Sequence, residues 1–430
     1  MKYIKIYCLL LFSLLFYACQ NQPESASISF MVSGDPAELR AYQTLVDSFR
    51  EQHPEIQVEL THIPSDRDYR ARLVSDFAAG TAPDVTLMNY RRIASFAAND
   101  LLEPLSPFVA ESDLVTPEEF YPVAWEAFMW QGQIMCIPQN ISSLVVYYNR
   151  DLFDEANLPY PSNDWTWDDF VTVAKELTQD KDGDGRIDQY GAGIEASLYR
   201  LAPFVWQNSD VFVDNEATPS HMTLTRPNAK VALQWFVDLR QMHGVVPDRV
   251  EEEAQDSESR FIAGTTAMFF DSRRGTPTYR EIESFTWDVA PLPHSERVAG
   301  ILHSDGYCLS GSTENKEAAW TFIEFANSEE GQRIIAGTGR TVPSRIEVAQ
   351  SDAFLEPDKL PEHSNIWLDY ADTLRTVPVM STWQEIEGTA DEEIERAFYG
   401  DITVDEAATL ITQRTNEYFT LAQFAGSVGD

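Results

Sequence analysis

Cysteine is scarce in this sequence, which has four in 430 residues. Cys8 lies in an N-terminal apolar run and Cys19 directly follows that run, so Cys136 and Cys308 alone remain for a folded body. Two cysteines are too few for the disulfide framework of a small secreted domain. Because both lie in apolar stretches, QIMCIP and GYCLS, we predict two small buried thiols in preference to one bridge.

Basic residues are also few. The chain has 31 lysines and arginines against 69 aspartates and glutamates, a net charge of −38. Such a surface repels phosphate backbones and anionic lipid headgroups. We therefore expect no nucleic-acid partner, and we expect a monomer.

Long apolar runs are missing beyond the N-terminus. The N-terminal run, from Cys8 to Tyr17, follows two lysines and is too short to span a bilayer. These features are typical of a signal peptide, which we place at residues 1–18.

The run stops at Phe16-Tyr17-Ala18-Cys19, where a small residue followed by cysteine resembles the lipobox of bacterial lipoproteins. The resemblance implies that Cys19 becomes a lipidated N-terminus, followed by a small polar tether over residues 19–26. We expect a protein that is exported and lipid-anchored to the bacterial cell membrane, on its periplasmic or extracellular face. The alternative is a secreted protein cut near Ala18, with Cys19 unmodified.

Catalytic motifs are missing too. The sequence contains no G-x-S-x-G, no H-E-x-x-H and no G-x-x-x-x-G-K, and its seven histidines are dispersed. We predict no catalytic residue and no required cofactor. A secreted carbohydrate-active enzyme, a glycoside hydrolase or lyase, is permitted by the many acids but is indicated by no motif.

Strands and helices alternate at the start of the chain, which predicts an α/β fold with a parallel sheet. Asp35 is placed to cap the first helix, with Pro36 at its first position. Because ligands collect at the C-terminal ends of parallel strands, the loops Ser33-Gly34-Asp35 and Asn89-Tyr90-Arg91 are candidate binding loops. The predicted strands are residues 28–32, 56–60 and 84–88. One predicted helix begins after Asp35, and a second includes Tyr69 to Phe77.

A second α/β unit is predicted further along. Strands are expected at 144–149 and 266–271, a connecting strand at 285–293, and a mostly helical C-terminal third.

Several segments, in order, resemble the family 1 extracellular solute-binding proteins of bacterial ABC importers, the maltodextrin-binding-protein-like sugar-binding lipoproteins. They are FREQHPEIQVE, FAAGTAPDVTLMN, GQIMCIPQNISSLVVYYNRDLF, WTWDDF, DKDGDGRIDQYG and NKEAAWTFIEFANSEEGQ, within residues 28–345. The resemblance implies a two-lobed, type II periplasmic-binding-protein fold with a hinge and a ligand cleft between the lobes. It also implies delivery of a sugar to the permease subunits of an ABC transporter.

By the same analogy, one lobe comprises residues 27–140 and 290–328, and the other 141–289 and 329–430. The chain is expected to cross between lobes near Gln139 to Ser143 and near Val289 to Pro291.

We predict that residues at strand ends and at positions matched to the family bind the ligand. Sugar sites pair aromatic faces with short polar groups, although each aromatic could instead pack in the core. The predicted platforms are Tyr90, Trp206, Trp287 and Tyr307, and the predicted hydrogen-bonding groups are Asn89, Gln139, Asn140, Asn208, Asp271 and Asp305.

Arginines also cluster at the predicted cleft loops, as Arg91-Arg92, Arg273-Arg274 and Arg340. They could bind an anionic solute, such as an acidic oligosaccharide or a sugar phosphate, or pair with cleft acids. A polyamine or peptide binder is a third, weaker interpretation.

The segment DKDGDGRID begins like an EF-hand calcium loop. Asp180, Asp182, Asp184 and Asp188, with the Arg186 carbonyl, match its ligand positions, but the twelfth position is Gly191. Some members of the resembled family hold calcium in a similar loop. We predict either a structural Ca²⁺ site or a surface turn held by Asx hydrogen bonds.

Overall fold

The computed structural model describes residues 26–425. The predicted signal peptide, Cys19 and residues 19–25 of the predicted tether lie outside the described residues. Residue Ala26, the last of the predicted tether, already belongs to the first strand.

Fourteen strands lie within residues 26–425. They are β1 (Ala26–Ser33), β2 (Ile56–Ile63), β3 (Val85–Asn89), β4 (Met129–Trp130), β5 (Gln133–Ile134), β6 (Cys136–Pro138), β7 (Ser142–Ser143), β8 (Val145–Asn149), β9 (Tyr190–Gly193), β10 (Thr266–Asp271), β11 (Trp287–Ala290), β12 (Gly300–His303), β13 (Asp305–Leu309) and β14 (Leu374–Arg375).

The α-helices surround these strands. They are α1 (Pro36–Gln52), α2 (Asp66–Ala79), α3 (Tyr90–Ala97), α4 (Ser106–Val109), α5 (Pro122–Ala127), α6 (Arg150–Glu155), α7 (Trp167–Glu176), α8 (Leu198–Gln207), α9 (Pro227–Gln241), α10 (Arg249–Ala254), α11 (Ser257–Ile262), α12 (Thr276–Tyr279), α13 (Lys316–Asn327), α14 (Glu329–Ala336), α15 (Ile346–Ala349), α16 (Asp352–Leu355), α17 (Ile366–Asp369), α18 (Trp383–Phe398) and α19 (Val404–Leu421). None of them is long and apolar enough to cross a membrane within residues 26–425.

The first sheet has the strand order β2-β1-β3-β13-β6. β1 pairs in parallel with β2 and β3, as the alternation of strands and helices predicts. β13 joins this sheet from much later in the chain and runs antiparallel to both β3 and β6. This sheet, with α1, α2 and α13 packed on it, forms one lobe.

Cys136 and Cys308 are joined by a disulfide across β6 and β13. The prediction of two free thiols is therefore wrong. The antiparallel register sets the two cysteines directly opposite each other, with Cα atoms 4.3 Å apart, within reach of a bridge. The residues are separated by 172 positions in the sequence, so their pairing depends on a strand order that local patterns do not contain.

The second sheet has the order β11-β8-β10-β9. β8 lies antiparallel to β10 and β11, and β10 pairs in parallel with β9. The predicted strands at 144–149 and 266–271 are confirmed, and the connecting strand is shorter than predicted because only Trp287–Ala290 pairs with β8.

Short strands occupy the crossings between the two sheets. The chain leaves the first sheet at β6 and enters the second at β8 through β7. It returns from β11 to β13 through β12, which pairs antiparallel with β7 and parallel with β14. The location of a hinge in this small sheet stays a prediction.

Local capping explains where the first helices begin. The Asp35 carboxylate accepts hydrogen bonds from the backbone N–H groups of Ala37 and Glu38, at 2.8 and 2.9 Å, as predicted for an N-cap. The buried face of α1, which includes Leu45 and Phe49, then packs on the sheet.

The C-terminal segment is divided between the two lobes. α14 packs against α1 of the first lobe, and the Glu330 carboxylate accepts hydrogen bonds from Ser48 and Gln52. This packing differs from the prediction that residues after 328 belong to the second lobe. α18 and α19 pack on each other and on α9 of the second lobe.

Candidate ligand-binding cleft

A cavity of about 520 Å³ lies between the two sheets. Ser33 and Asn89 reach it from the C-terminal ends of β1 and β3, and Asp305 reaches it from the start of β13. Asp271, at the end of β10, and Arg274 line it from the other lobe. The cavity is thus at the strand ends, as the parallel-sheet rule predicts, and its size suits a small solute.

Half of the predicted ligand-binding residues line this cavity. They are Ser33, Asn89, Arg91, Gln139, Asn140, Asp271, Asp305 and Arg340. Arg92 and Arg274, the second members of the predicted arginine pairs, line it as well. That these residues contact a solute stays a prediction.

The four predicted aromatic platforms do not line the cavity and pack in the core. Tyr90 is fully buried, and its hydroxyl accepts a hydrogen bond from the Val377 N–H at 3.2 Å. The Trp287 indole N–H donates to the Tyr279 carbonyl oxygen at 2.8 Å.

Trp206 and Tyr307 are buried in the same way. Trp206 packs against Phe212, and Arg375 lies over its ring. The Tyr307 hydroxyl accepts a hydrogen bond from Gln139 Nε2 at 2.8 Å. A large aromatic ring can pack in the core as well as line a cleft, and all four of these rings pack in the core.

Four predicted polar residues also lie off the cavity wall. Gly34 forms the tight turn after β1, with φ of 130°, and Asp35 is committed to the cap of α1. Asn208 donates to the Asn228 carbonyl oxygen at 2.8 Å.

Arg273 is the fourth, and it is buried inside the second lobe. Its guanidinium donates to the Gly339 carbonyl oxygen at 2.8 Å, to Ser364 at 3.0 Å and to Glu356 at 3.1 Å. Arg274, the next residue, lines the cavity, whereas Arg273 does not.

Several lining residues were missed by sequence reasoning. Glu38 and Asp66 lie in the first turns of α1 and α2, directly after strand ends, so the same loop rule could have found them. Arg200 follows the N-cap Ser197 of α8. Glu387 and Asp391, four residues apart on α18, carry no local signal because distant packing brings that helix to the cleft.

The cavity wall is densely charged. Its arginines are Arg70, Arg91, Arg92, Arg200, Arg274 and Arg340, and its carboxylates are Glu38, Asp66, Glu195, Asp271, Asp305, Glu387 and Asp391. Six arginines thus face seven carboxylates on this wall, a near balance in a chain with a net charge of −38.

Four of the six arginines have carboxylate partners. Arg340 contacts both Asp35 and Glu38 at 2.7 Å, and Arg91 contacts Glu387. The remaining pairs are looser: Arg70 with Asp66 at 3.4 Å, and Arg200 with Glu195 at 3.4 Å and Asp271 at 4.0 Å.

Burial shifts the protonation of several cleft groups. It is the largest influence on Asp391, whose pKa it raises to about 7, and it also raises the pKa of Glu38 despite the nearby Arg340. Burial is the largest influence on Arg91 and acts to lower its pKa. Glu387, Tyr199 and Tyr90 together outweigh burial, so the pKa of Arg91 is raised.

Aromatic faces at the cavity are already covered. The Tyr199 ring stacks on His303 with centroids 4.6 Å apart, and the Arg91 guanidinium lies 3.8 Å from the Tyr199 ring centroid. Burial, with a smaller effect of Arg200, lowers the pKa of His303 well below its ordinary value, so this ring is neutral near pH 7. Among the cavity residues described, none is a tryptophan.

The aspartate-rich loop does not line the cavity. Oxygens of Asp180, Asp182 and Asp184 lie within 4.8 Å of one another, close enough to share a cation. The Asp188 carboxylate instead accepts the Lys181 N–H at 2.7 Å.

The twelfth loop position offers no ligand. It is Gly191, where a Cβ atom would lie 1.9 Å from the Ala174 carbonyl oxygen, so a ligating side chain has no room. The same carboxylates accept backbone N–H groups within the loop, such as Gly183 to Asp180 at 2.7 Å. The geometry is therefore compatible with both predicted alternatives.

Comparison with known proteins identifies relatives that align with most of this chain. A maltotriose-binding protein of Pyrococcus abyssi is 21% identical over 375 residues, 85% of this chain and 77% of that protein. An ABC substrate-binding protein of Listeria monocytogenes, solved in complex with cycloalternan, superposes with a TM-score of 0.85 and 24% identity, covering 92% of this chain and 99% of its own. UgpB from Mycobacterium tuberculosis, solved in complex with glycerophosphocholine, superposes with a TM-score of 0.80 and 19% identity, covering 92% of this chain and 99% of its own.

These likenesses confirm the predicted two-lobed, type II fold. In addition, residues 33–333 match the family described as bacterial extracellular solute-binding protein. Since this match extends over more than half of the sequence, the chain belongs to the bacterial extracellular solute-binding protein family.

Proposed function

We propose that this chain is the solute-binding lipoprotein of an ABC importer, which binds a carbohydrate between its lobes and delivers it to permease subunits. The observation that carries this proposal is the cavity of about 520 Å³ walled by both lobes. The names of similar proteins support a carbohydrate, since relatives are described as binding maltotriose or arabinooligosaccharide.

The proposed mechanism is closure of the two lobes on the solute. Asn89 and Asp305 on one wall and Asp271 on the other line the same cavity, so a solute bound there can contact both lobes at once. Contacts made in the closed state alone shift the population toward that state. A permease can then distinguish a loaded protein from an empty one by its shape.

The lipid anchor is part of the proposal. Cys19 would hold the protein at the membrane, next to the permease, while the folded lobes move at the end of the short tether. A Cys19→Ala variant should be exported but recovered in the soluble fraction, whereas the unchanged protein should be recovered with membranes. Membrane recovery of both proteins would contradict lipid anchoring.

A thermal-shift screen tests the ligand class. The panel contains neutral sugars and oligosaccharides, acidic glycans, polyamines and short peptides. A ligand at one hundred times its Kd stabilises the folded state by about 2.7 kcal/mol, which in a protein of this size raises the Tm by several degrees. We expect such a rise with at least one carbohydrate. A rise with polyamines or peptides alone would contradict the proposal.

A further inference from the structure

Arg92 and Arg274 differ from the other cleft arginines. Arg92 lies on α3 of the first lobe, and Arg274 follows β10 in the second lobe, so they belong to opposite walls of one cavity. Within residues 26–425, neither guanidinium has a carboxylate oxygen within 4.0 Å or a side-chain hydrogen bond. The other four arginines of the wall all have carboxylate partners.

Leaving a guanidinium without a counter-ion in a partly desolvated cleft is unfavourable. Burial is the largest influence on Arg92, and together with the nearby Arg70 it lowers the pKa of Arg92 to about 10. An anion bound beside Arg92 would relieve this cost.

Arg274, like Arg92, is a cavity arginine without a salt-bridge partner among the described residues. Burial acts to lower its pKa, but Glu38 and Asp305 on the opposite wall raise it from beyond salt-bridge distance. Its side chain is exposed to the cavity, so its hydrogen-bond donors are open to a solute.

Two further properties of the wall favour a negatively charged solute. The pKa values of Glu38 and Asp391 are raised, so these carboxyls take up protons more readily than exposed acids do. The aromatic ring of Tyr199 is covered by His303 and Arg91 and offers little open face for a neutral sugar to stack on.

We propose that the solute is a carbohydrate with an anionic group, the carboxylate of a uronic acid or a phosphate ester, which is bound between Arg92 and Arg274. This inference rests on the proposed function, because it specifies the solute of the same cleft. A guanidinium binds either group through two parallel hydrogen bonds, and two guanidiniums on opposite walls would couple recognition of the charge to closure.

The experiment compares sugars that differ in charge alone. Uronic acid disaccharides and hexose phosphates are each matched with the neutral sugar of the same configuration and linkage, and binding is measured by isothermal titration calorimetry. We expect at least one anionic sugar to bind about tenfold more tightly than its neutral partner, with an affinity that falls as NaCl is raised. The uronic acid and phosphate arms of the panel identify which group is bound.

Arginine variants assign this preference to the two residues. Arg92→Gln and Arg274→Gln should each reduce the affinity for the anionic sugar about tenfold or more and weaken its salt dependence, because a charged hydrogen bond is lost. Arg274→Lys, which keeps the charge, should restore part of the affinity. The control is Arg40→Gln, which removes the same charge from an exposed position of α1 outside the cavity and should leave the affinity unchanged.

The outcomes separate this inference from the proposed function. If a neutral sugar binds as tightly as its anionic partner, or if the folded Arg92→Gln and Arg274→Gln proteins bind the anionic sugar normally, the inference is wrong and the proposed function stands. If no carbohydrate of either kind binds, the proposed function is wrong, and the inference falls with it. Circular dichroism shows whether each variant is folded. If the Arg274 variant is not folded, the affinity of the Arg92 variant for the anionic sugar tests the inference.

Discussion

The guanidinium of Arg91, on α3 of the first lobe, contacts the carboxylate of Glu387, on α18 of the second lobe. The Trp383 indole N–H donates to the same carboxylate at 2.9 Å, and Arg91 also donates to Asn89 at 3.1 Å. The two lobes are therefore joined by an ion pair at the edge of the cleft. Because both side chains are mostly shielded from solvent, we expect this pair to contribute more than a surface salt bridge does.

A double-mutant cycle tests this ion pair. Arg91→Ala and Glu387→Ala should each lower the free energy of unfolding by about 2 kcal/mol or more, since each leaves a half-buried charge without its partner. The double variant should lose less than the sum of the two, by on the order of 1 kcal/mol. Urea unfolding provides the measurement.

The matched control is the more exposed helical pair Arg333 and Glu329, 2.8 Å apart on α14, with side chains 39% and 49% exposed. Its cycle should give a coupling of about 0.5 kcal/mol or less. Equal couplings for the two pairs would contradict a special role for Arg91 and Glu387 in holding the lobes together.

Asp391 should make stability depend on pH. Its pKa is raised to about 7 by burial, from 3.8, so between these values the folded state holds a proton that the unfolded state has lost. Stability attributable to this group therefore falls as the pH rises from about 4 to 7 and is constant above that range. Asp391→Asn cannot titrate, and its side-chain oxygen can still accept the Leu198 N–H, so the variant should gain stability over the unchanged protein by about 1 kcal/mol or more at pH 8.

Urea unfolding at pH 5 and pH 8 measures this effect. Asp47→Asn serves as the control because Asp47 is an exposed aspartate on α1, and its effect should be the same at both pH values. A gain by Asp391→Asn that is no larger at pH 8 than at pH 5 would show that this carboxyl is ionised throughout.

The disulfide between Cys136 and Cys308 should contribute to stability. It closes a loop of 172 residues between β6 and β13, which restricts the unfolded chain. Replacing both cysteines with serine should cost about 2 to 5 kcal/mol. The unchanged protein treated with reductant should unfold at the same urea concentration as the variant. Peptide mapping that finds both cysteines as free thiols in protein purified without reductant would contradict the bridge.

Local patterns predicted most of the fold. Hydrophobic periodicity and helix-capping residues predicted the bounds of β1, α1 and β10 to within a few residues. These patterns depend only on neighbouring positions in the sequence. The Cys136 to Cys308 bridge and the contribution of α18 to the cleft were not predictable in this way. Both depend on which distant segments pack together.

Half of the predicted ligand-binding residues line the cavity, and the other half do not, for the same reason. The strand-end rule found Ser33, Asn89 and Asp271, since a residue at the end of a parallel strand reaches the cleft by position alone. It could not decide which of two neighbours faces the cavity. At the pairs Tyr90-Arg91 and Arg273-Arg274, the first residue is buried and the second lines the cleft.

The aspartate-rich loop gives a prediction about calcium. If Asp180, Asp182 and Asp184 hold a structural Ca²⁺, a chelator should lower the Tm of the second lobe, and added Ca²⁺ should restore it. Asp182→Asn should reduce the response, and ligand affinity should change little because the loop lies off the cavity. No response to chelator would favour the surface turn, and a collapse of ligand affinity would contradict the separation of loop and cleft.

We propose that this protein binds a carbohydrate between its lobes without transforming it. The most direct measurement is isothermal titration calorimetry of the purified protein with the carbohydrate that raises its Tm most, followed by chromatography of the recovered sugar. We expect one saturable site per chain and an unchanged sugar. Release of a cleaved or eliminated product at enzyme-like turnover, or the absence of saturable binding by any carbohydrate, would contradict it.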